Sequence, residues 1–432
     1  MMIHKNFLWL VIIIFCTTSS IAQNGWKICN GPPFSSRLDD IYMVNTQTGY
    51  AVCGDGQIVK TNDGGDNWYT LTQDPAVYCR SVEFIDEDHG FVGGFPSVNA
   101  TTNILRRTSD GGNTWEDLTP LLDPGAIKGI CGLSIVGPKT IYGCGNWYQD
   151  SAYIVKSVDG GDSWQFIDMS SYATSLIDMY FISPDVGFAT GKGPLPLETA
   201  VILYTTDGGA TWACVFQNNI ATEYCWKIQH LTADLYFASI EDFGDTPSKI
   251  VYSEDGGMTW NIHIVNPTND NIEGVGFVDP LHGWTGGGSN SYETIDGGFN
   301  WLINNLFPGV DRIFRVNDNL VFATAYSIWK YSPVITGIKT EPQKEPVYSS
   351  IKCNPNPVDD QLLINVSLSN NTHAMVSLFD EKGLQLKIID NEDKARGEYS
   401  LVLDTKGISA GIYFVILKTH EEKHAVKVVV SH

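Results

Sequence analysis

Six copies of a D-G-G-x-x-W motif divide the chain, and the first reads Asp63-Gly64-Gly65-Asp66-Asn67-Trp68. The other five begin at Asp110, Asp159, Asp207, Asp255 and Asp296 and end at Trp115, Trp164, Trp212, Trp260 and Trp301. Successive aspartates lie 47, 49, 48, 48 and 41 residues apart. A nearly fixed period of this size indicates a repeat architecture, in which neighbouring units share one hydrophobic core.

Each unit contains four short runs of alternating apolar and polar residues. In the second unit they begin at residues 81, 91, 104 and 115, and the motif lies between the third and fourth runs. Four antiparallel strands in about 45 residues are typical of a propeller blade. In the motif, the aspartate can cap backbone N–H groups, the glycines can adopt positive φ, and the tryptophan can pack into the sheet. We therefore expect the motif to be structural.

A seventh unit follows the sixth motif and has no motif of its own. Residues 311–316, 320–325 and 327–331 supply three predicted strands. The segment Gly25-Trp26-Lys27-Ile28 resembles the tryptophan-led fourth strand of the other units, so we expect it to close the ring. The predicted fold is all-β, with a seven-bladed β-propeller over residues 23–335.

The residues after the propeller predict a second domain. Residues 336–350 are polar and contain two prolines, which is typical of a linker. Residues 351–432 contain six or seven short strand-like runs. Their number and spacing predict a small, Ig-like C-terminal β-sandwich.

The N-terminal residues have the pattern of an export signal. Lys5 precedes an apolar run at residues 7–15, and a small-residue segment ends at Ala22. The run is shorter than the roughly 20 apolar residues that a transmembrane helix needs. We expect residues 1–22 to be removed, which leaves an exported chain without a transmembrane span.

The charge of the chain is concentrated in the predicted propeller. Residues 23–350 contain 17 Lys and Arg against 38 Asp and Glu, whereas residues 351–432 contain 9 against 11. A net charge of this sign repels phosphate groups, so we expect no nucleic-acid partner. It is also typical of soluble exported proteins.

The cysteines leave two alternatives open. Apart from Cys16 in the predicted signal, eight cysteines allow 105 complete pairings in an oxidising compartment. Cys131 with Cys144 and Cys214 with Cys225 are the nearest candidate pairs, and free buried thiols are the alternative. There is no C-x-x-C or H-E-x-x-H segment, so we expect no metal and no cofactor.

The six motifs resemble the Asp-box, or BNR, repeat of sialidases, xyloglucanases, sortilin-like receptors and the photosystem II stability/assembly factor. The first unit, from Gly49-Tyr50-Ala51-Val52 to Gly65, is most similar to the photosystem assembly-factor type. This resemblance covers residues 24–333 and implies the propeller fold. It also implies that an assembly or scaffold role is one possible function.

The C-terminal residues resemble the type A sorting domain of the type IX secretion system. The resemblance rests on Asn354-Pro355-Asn356-Pro357, on 379–383, on Gly411-Ile412-Tyr413-Phe414-Val415 and on the terminal Lys427-Val428-Val429-Val430. It implies a Bacteroidetes-type envelope and recognition of residues 351–432 by that machinery. The product would be extracellular or attached to the outer cell surface.

The leading functional hypothesis is a non-catalytic module that binds a glycan or a protein. Binding usually lies in the loops of a rigid scaffold, and aromatic rings beside carboxylates suit sugar stacking. Two loops on the face opposite the motifs fit this pattern. Their candidate ligand-binding residues are Trp147, Tyr148, Asp150, Glu241, Asp242 and Phe243.

The rival hypothesis is a glycoside hydrolase, since sialidases and xyloglucanases share the repeat. A sialidase needs three arginines around a carboxylate and an N-terminal Phe/Tyr-Arg-Ile-Pro segment, and that segment is absent. Of the six arginines before the linker, Arg106 and Arg107 adjoin a motif. A pair of acids roughly 5 to 10 Å apart remains possible among the 38 carboxylates. We name no catalytic residue.

Overall fold

Strands make up nearly all the regular structure of the computed structural model. It describes residues 25–96, 103–122, 127–145, 151–332, 349–368, 370–380, 384–419 and 423–431. The predicted signal and nearly all of the predicted linker lie outside these residues. The chain divides into two units, Met1–Val334 and Ile335–His432.

In its described residues, the first unit contains seven four-stranded antiparallel sheets. The first strand in the chain is β1 (Trp26–Ile28). Sheet 1 contains β2 (Leu38–Met43), β3 (Gly49–Cys53), β4 (Gln57–Thr61) and β5 (Tyr69–Gln73). Sheet 2 contains β6 (Val77–Phe84), β7 (Gly90–Pro96), β8 (Leu105–Thr108) and β9 (Glu116–Asp117), followed by a 3-10 turn at Thr119–Leu121.

Sheets 3 to 6 repeat this pattern with consecutive strands. Sheet 3 contains β10 (Gly132–Val136), β11 (Thr140–Gly145), β12 (Tyr153–Ser157) and β13 (Gln165–Asp168). Sheet 4 contains β14 (Ser175–Phe181), β15 (Gly187–Lys192), β16 (Ala200–Thr205) and β17 (Ala213–Gln217). Sheet 5 contains β18 (Glu223–His230), β19 (Tyr236–Asp242), β20 (Ser248–Ser253) and β21 (Asn261–Asn266). Sheet 6 contains β22 (Ile272–Phe277), β23 (Gly283–Gly287), β24 (Ser291–Thr294) and β25 (Leu302–Ile303).

Sheet 7 joins the two ends of the unit. It contains β26 (Arg312–Asn317), β27 (Leu320–Thr324) and β28 (Ile328–Tyr331), with β1 as its fourth strand. Trp26 lies opposite Tyr331 in the antiparallel pair of β1 and β28. The first strands of sheets 1 to 7 contact one another in order, and β26 contacts β2. The unit is therefore an all-β propeller whose first strands surround a central channel.

The six D-G-G-x-x-W turns share one hydrogen-bond pattern. In the fourth turn, Asp207 Oδ1 accepts from the backbone N–H of Thr211 at 2.8 Å, and Trp212 Nε1 donates to the carbonyl of Gly209 at 3.2 Å. Gly208 and Gly209 have φ of +69° and +87°, which favours glycine at both positions. Bonds from Thr211 and Thr205 lower the pKa of Asp207 to about 2. The equivalent aspartate bonds recur at Asp63, Asp110, Asp159, Asp255 and Asp296.

These turns also identify one face of the propeller. The N–H of the first glycine donates to a carbonyl in the loop that joins the first and second strands of the same sheet. In sheet 4, Gly208 donates to Asp185 at 2.8 Å. The same bond recurs from Gly64, Gly111, Gly160, Gly256 and Gly297. The turns and the ends of the first strands therefore lie on one side, which we call the box face.

The second unit contains two sheets with their own core. One sheet pairs β29 (Ser350–Asn354), β30 (Gln361–Leu368) and β33 (Gly397–Asp404). The other has the order β32 (Gln385–Lys394), β31 (Thr372–Asp380), β34 (Gly411–Lys418) and β35 (Lys423–Val430). One cluster that includes Leu362, Ile364, Val376, Val415 and Leu417 fills its interior, and every member of this cluster belongs to the second unit.

The two nearest candidate disulfides do not form, because all eight cysteines outside the predicted signal are free thiols. Cys144 lies opposite Gly132 in the pair of β10 and β11, so Cys131 stands one residue out of register with it. Cys214 is exposed on β17, the outer strand of sheet 4, whereas Cys225 is buried on β18, the innermost strand of sheet 5. The alternative of free thiols therefore describes the structure.

Candidate binding site in the central channel

The channel wall carries charged side chains because the first strands are irregular near their start. Five of them shift register against the second strand of the same sheet, at 38–40, 79–81, 176–178, 225–228 and 272–274. Such a shift leaves extra residues without a partner in the ladder and redirects their side chains. Asp39, Arg80, Lys227 and Glu273 lie at four of the five shifts, and all four are buried.

Asp311 is the centre of the larger charge network. Its carboxylate lies 3.1 Å from Arg80 Nη1, 3.5 Å from Arg37 Nη2 and 3.7 Å from Lys227 Nζ. It also accepts from the indole of Trp226 at 2.9 Å. Burial alone would raise the pKa of Asp311, but these cations hold it well below its usual range. Asp311 therefore remains charged within the channel.

A second carboxylate completes this network. Asp39 lies 2.6 Å from Arg80 and 3.1 Å from Arg37, so each arginine bridges Asp39 and Asp311. Arg37 also reaches Glu273 at 2.5 Å. The charged groups of this network therefore pair with one another across the channel.

Arg312 forms a separate network nearer the box face. Its guanidinium lies 2.6 Å from Asp178 and 3.4 Å from Asp40. Both carboxylates also accept backbone N–H groups of the next sheet: Val82 donates to Asp40 at 3.0 Å and Ile228 donates to Asp178 at 3.1 Å. Burial, with the nearby charge of Asp40, raises the pKa of Glu83 well above its usual value. These bonds fix the spacing of neighbouring sheets.

A cavity of roughly 510 Å3 opens where the first strands end, on the box face. All seven first strands contribute to its wall. The lining residues that stay partly exposed are mainly aromatic, polar or charged: Tyr42, Glu83, Ile135, Tyr180, Gln229, His230, Arg312, Phe314 and Arg315. Tyr180 Oη and His230 Nδ1 lie 3.1 Å apart, and burial lowers the pKa of His230. This volume is in the range of small-ligand and peptide-side-chain pockets.

The structure separates the loop residues that the sequence singles out. Glu241 is buried, and burial with the nearby Glu273 raises its pKa to about 9. Asp242 accepts from the N–H groups of Gly244 and Thr246, both at 2.8 Å, and so holds its own loop. Phe243 is 58% exposed and packs edge-on against Tyr224. Trp147, Tyr148 and Asp150 lie outside the described residues.

The arginines of the channel do not form an open carboxylate clamp. Arg37 and Arg80 share one network and Arg312 belongs to another, and each pairs with carboxylates of this chain. In the described residues, no group of three or more His, Cys, Asp or Glu side chains is arranged to hold a metal ion.

The cavity was not predicted from the sequence. The sequence feature that could have indicated it is a charged residue inside an otherwise apolar first strand, as in Leu38-Asp39-Asp40 and Leu176-Ile177-Asp178. A single charged residue in one strand does not by itself indicate a cavity. The ring closure that brings residues 40, 83, 178 and 312 together joins positions far apart in sequence.

Part of the first unit and most of the second unit match known families. Residues 18–149 match the family described as photosynthesis system II assembly factor YCF48, and residues 352–431 match the secretion system C-terminal sorting domain. Residues 18–149 of the propeller are thus similar to the Ycf48 family, and a sorting domain follows the propeller. The sorting domain indicates export by the type IX secretion system to the cell surface or extracellular space. No helix among the described residues is long and apolar enough to cross a bilayer.

Individual relatives agree with this assignment. A photosystem II assembly lipoprotein Ycf48 from Trichormus variabilis is 32% identical over 72 residues, which are 16% of this chain and 21% of the relative. The chain thus matches about a fifth of the length of that curated relative. A solved YCF48 bound to a D1 peptide has a TM-score of 0.55 at 16% identity, over 72% of this chain and 96% of the other. YCF48 from Cyanidioschyzon merolae has a TM-score of 0.54 at 19% identity, over 72% of this chain and 99% of the other.

Proposed function

We propose that the chain is an exported, non-catalytic Ycf48-type propeller that binds an extended segment of another protein at the box-face mouth of its channel. The cavity described above carries this proposal. It combines aromatic rings, hydrogen-bonding groups and the guanidinium groups of Arg312 and Arg315, which suit side chains and main chain of a peptide. The solved YCF48 with a bound D1 peptide supports a peptide as the ligand class.

The architecture proposed for this role is one ring of seven blades, with an Ig-like sandwich as the sorting domain. The seven four-stranded sheets and the cyclic contacts of their first strands support the ring. The sheets of three and four strands support the sandwich. A predicted signal at residues 1–22 would supply the first export step.

The test uses the full chain and an array of overlapping peptides from surface proteins of the same cell, beside a glycan array. Tyr42→Ala and Tyr180→Ala remove partly exposed rings from the cavity, and each should weaken peptide binding at least about tenfold, which is about 1.4 kcal/mol. Tyr204→Ala is the matched control, because Tyr204 is a half-buried tyrosine outside the cavity. Equal affinities of all variants, or binding to glycans alone, would contradict the peptide proposal.

The hydrolase alternative rests on a different pair of groups. Burial and the charge of Asp311 raise the pKa of Glu273 to about 8. Glu241 lies close enough to Glu273 for the charge of Glu273 to raise the pKa of Glu241. Raised pKa values suit general acids, but both side chains are buried. If the chain hydrolyses glycosidase substrates and Glu241→Gln abolishes that activity, the protein is an enzyme and the binding proposal is wrong.

A further inference from the structure

Glu83 lines the channel cavity without a cationic partner. It is the second-last residue of β6, is half-buried and forms part of the cavity wall. Its Oε2 accepts from the backbone N–H of Ile135 in sheet 3 at 2.9 Å. Among the described residues, its Oε1 accepts no hydrogen bond, and neither oxygen pairs with a lysine, arginine or histidine. One carboxyl oxygen in the cavity wall is therefore available to a ligand.

The other carboxylates and guanidinium groups of the cavity wall are paired. Arg312 lies 2.6 Å from Asp178 and 3.4 Å from Asp40. Arg315 pairs with Asp318, which does not line the cavity. The wall thus holds two paired carboxylates and two paired guanidinium groups, and the carboxyl on β6 is left over. When it is ionised, the cavity carries a surplus of negative charge.

The raised pKa of Glu83 reflects this surplus. Burial is the largest cause of the rise and the charge of Asp40 is the next, and the opposing effect of Arg312 is too small to cancel them. A cation that enters the cavity would supply the opposite charge that Glu83 lacks. It would therefore favour the ionised form of the carboxyl.

Aromatic rings lie beside this carboxyl. Burial, and then the charge of Glu83, raises the pKa of both Tyr42 and Tyr180, so the two phenols are close to it. The ring centroid of Phe314 lies 5.5 Å from that of Tyr42. Lysine and arginine bury their aliphatic stems along apolar surface, and aromatic faces attract their charged ends. Rings beside an unpaired carboxyl therefore suit a basic side chain.

We propose that Glu83 receives a lysine or arginine side chain of the extended segment that binds at the box-face mouth of the channel. This inference rests on the proposed function and adds the charge of the ligand to it. The ammonium or guanidinium group donates to Oε1 of Glu83, and the stem of the side chain packs against Tyr42 and Tyr180. The net charge of −22 on the whole chain also attracts basic segments.

A second residue shows how the binding role can be separated from the bond between sheets 2 and 3. Gln229 is the second-last residue of β18, as Glu83 is of β6. Its Oε1 accepts from the backbone N–H of Phe277 in the next sheet at 2.7 Å. A glutamine at position 83 can accept the N–H of Ile135 in the same way, but it carries no charge. Glu83→Gln therefore keeps the bond between the sheets and removes the partner of the cation.

Isothermal titration calorimetry of the full chain tests the proposal with four capped nonapeptides of alanine and serine, which differ only in a central lysine, arginine, glutamate or norleucine. We expect the lysine and arginine peptides to bind at least tenfold more tightly than the other two. Glu83→Gln should abolish this preference and change the unfolding temperature by less than about 2 °C. Glu87→Gln is the matched control and should keep the preference, because it removes the same charge from an exposed position outside the cavity wall.

The outcomes distinguish this inference from the proposed function. Equal binding of the lysine and norleucine peptides, which Tyr42→Ala still weakens, would overturn the role of Glu83 and leave peptide binding in the cavity intact. A preference for lysine that persists in Glu83→Gln would also overturn it, because the basic side chain would then bind elsewhere. If neither these peptides nor those of the array bind, both proposals are wrong.

Discussion

Glu241 shows how one buried side chain links the channel to pH. Its pKa of about 9 lies above the usual carboxyl value near 4.5, so the folded chain holds a proton there that the unfolded chain releases. The contribution of protonated Glu241 to the free energy of unfolding is complete below the usual carboxyl pKa, and it is lost as pH rises towards 9. The loss follows a slope of at most about 1.4 kcal/mol per pH unit.

The substitution Glu241→Gln imitates the protonated side chain and removes this dependence. We expect the variant to gain stability relative to the wild type as pH rises from 5 to 9, measured by urea denaturation at several pH values. Glu254→Gln, at an exposed position, is the control and should follow the wild type. A constant difference between Glu241→Gln and the wild type across this range would show that Glu241 is ionised in the folded chain.

At the scale of single strands, β1 closes the ring with three residues. The side chain of Trp26 is 1% exposed and packs against Trp284, Phe307 and Tyr331, with ring centroids 5.0, 5.1 and 5.4 Å away. Ile28, on the same strand, is 57% exposed. The closure of the ring therefore depends far more on one side chain of β1 than on the other.

Trp26→Ala should lower the free energy of unfolding by about 3 to 5 kcal/mol, because it leaves a cavity between sheets 6 and 7. Ile28→Ala removes an exposed side chain from the same strand and should change stability by less than about 0.5 kcal/mol. Thermal denaturation followed by tryptophan fluorescence and circular dichroism compares the two. Equal losses in both variants would mean that the backbone pairing of β1, and not the packing of Trp26, holds the ring closed.

The elements differ in how far sequence predicts them. The D-G-G-x-x-W turns are predictable because aspartate, two glycines and tryptophan make their contacts within six residues. The strand alternation likewise follows from local spacing. The channel networks are not predictable in this way, because Arg80 meets Asp311 and Arg312 meets Asp178 only after the ring has closed. Asp242 caps backbone N–H groups of its own loop. The sequence pattern of a carboxylate in an aromatic loop does not distinguish this role from ligand binding.

At the scale of the whole molecule, the two units have separate hydrophobic cores. Among the described residues, the core clusters of the propeller draw on residues 26–331, and the cluster of the C-terminal unit draws on residues 351–430. Burial within each unit is the main stabilising contribution to folding. Each unit should therefore fold without the other.

Residues 23–335 expressed alone should unfold within about 2 °C of the corresponding transition of the full chain, as measured by differential scanning calorimetry. A shorter fragment that ends at residue 306 removes β26, β27 and β28 and leaves β1 without its partner, so it should lose the cooperative transition. A large drop in the unfolding temperature of the 23–335 fragment would show that the sorting domain stabilises the propeller. The expected result means that loss of the C-terminal unit would leave the channel and its cavity intact.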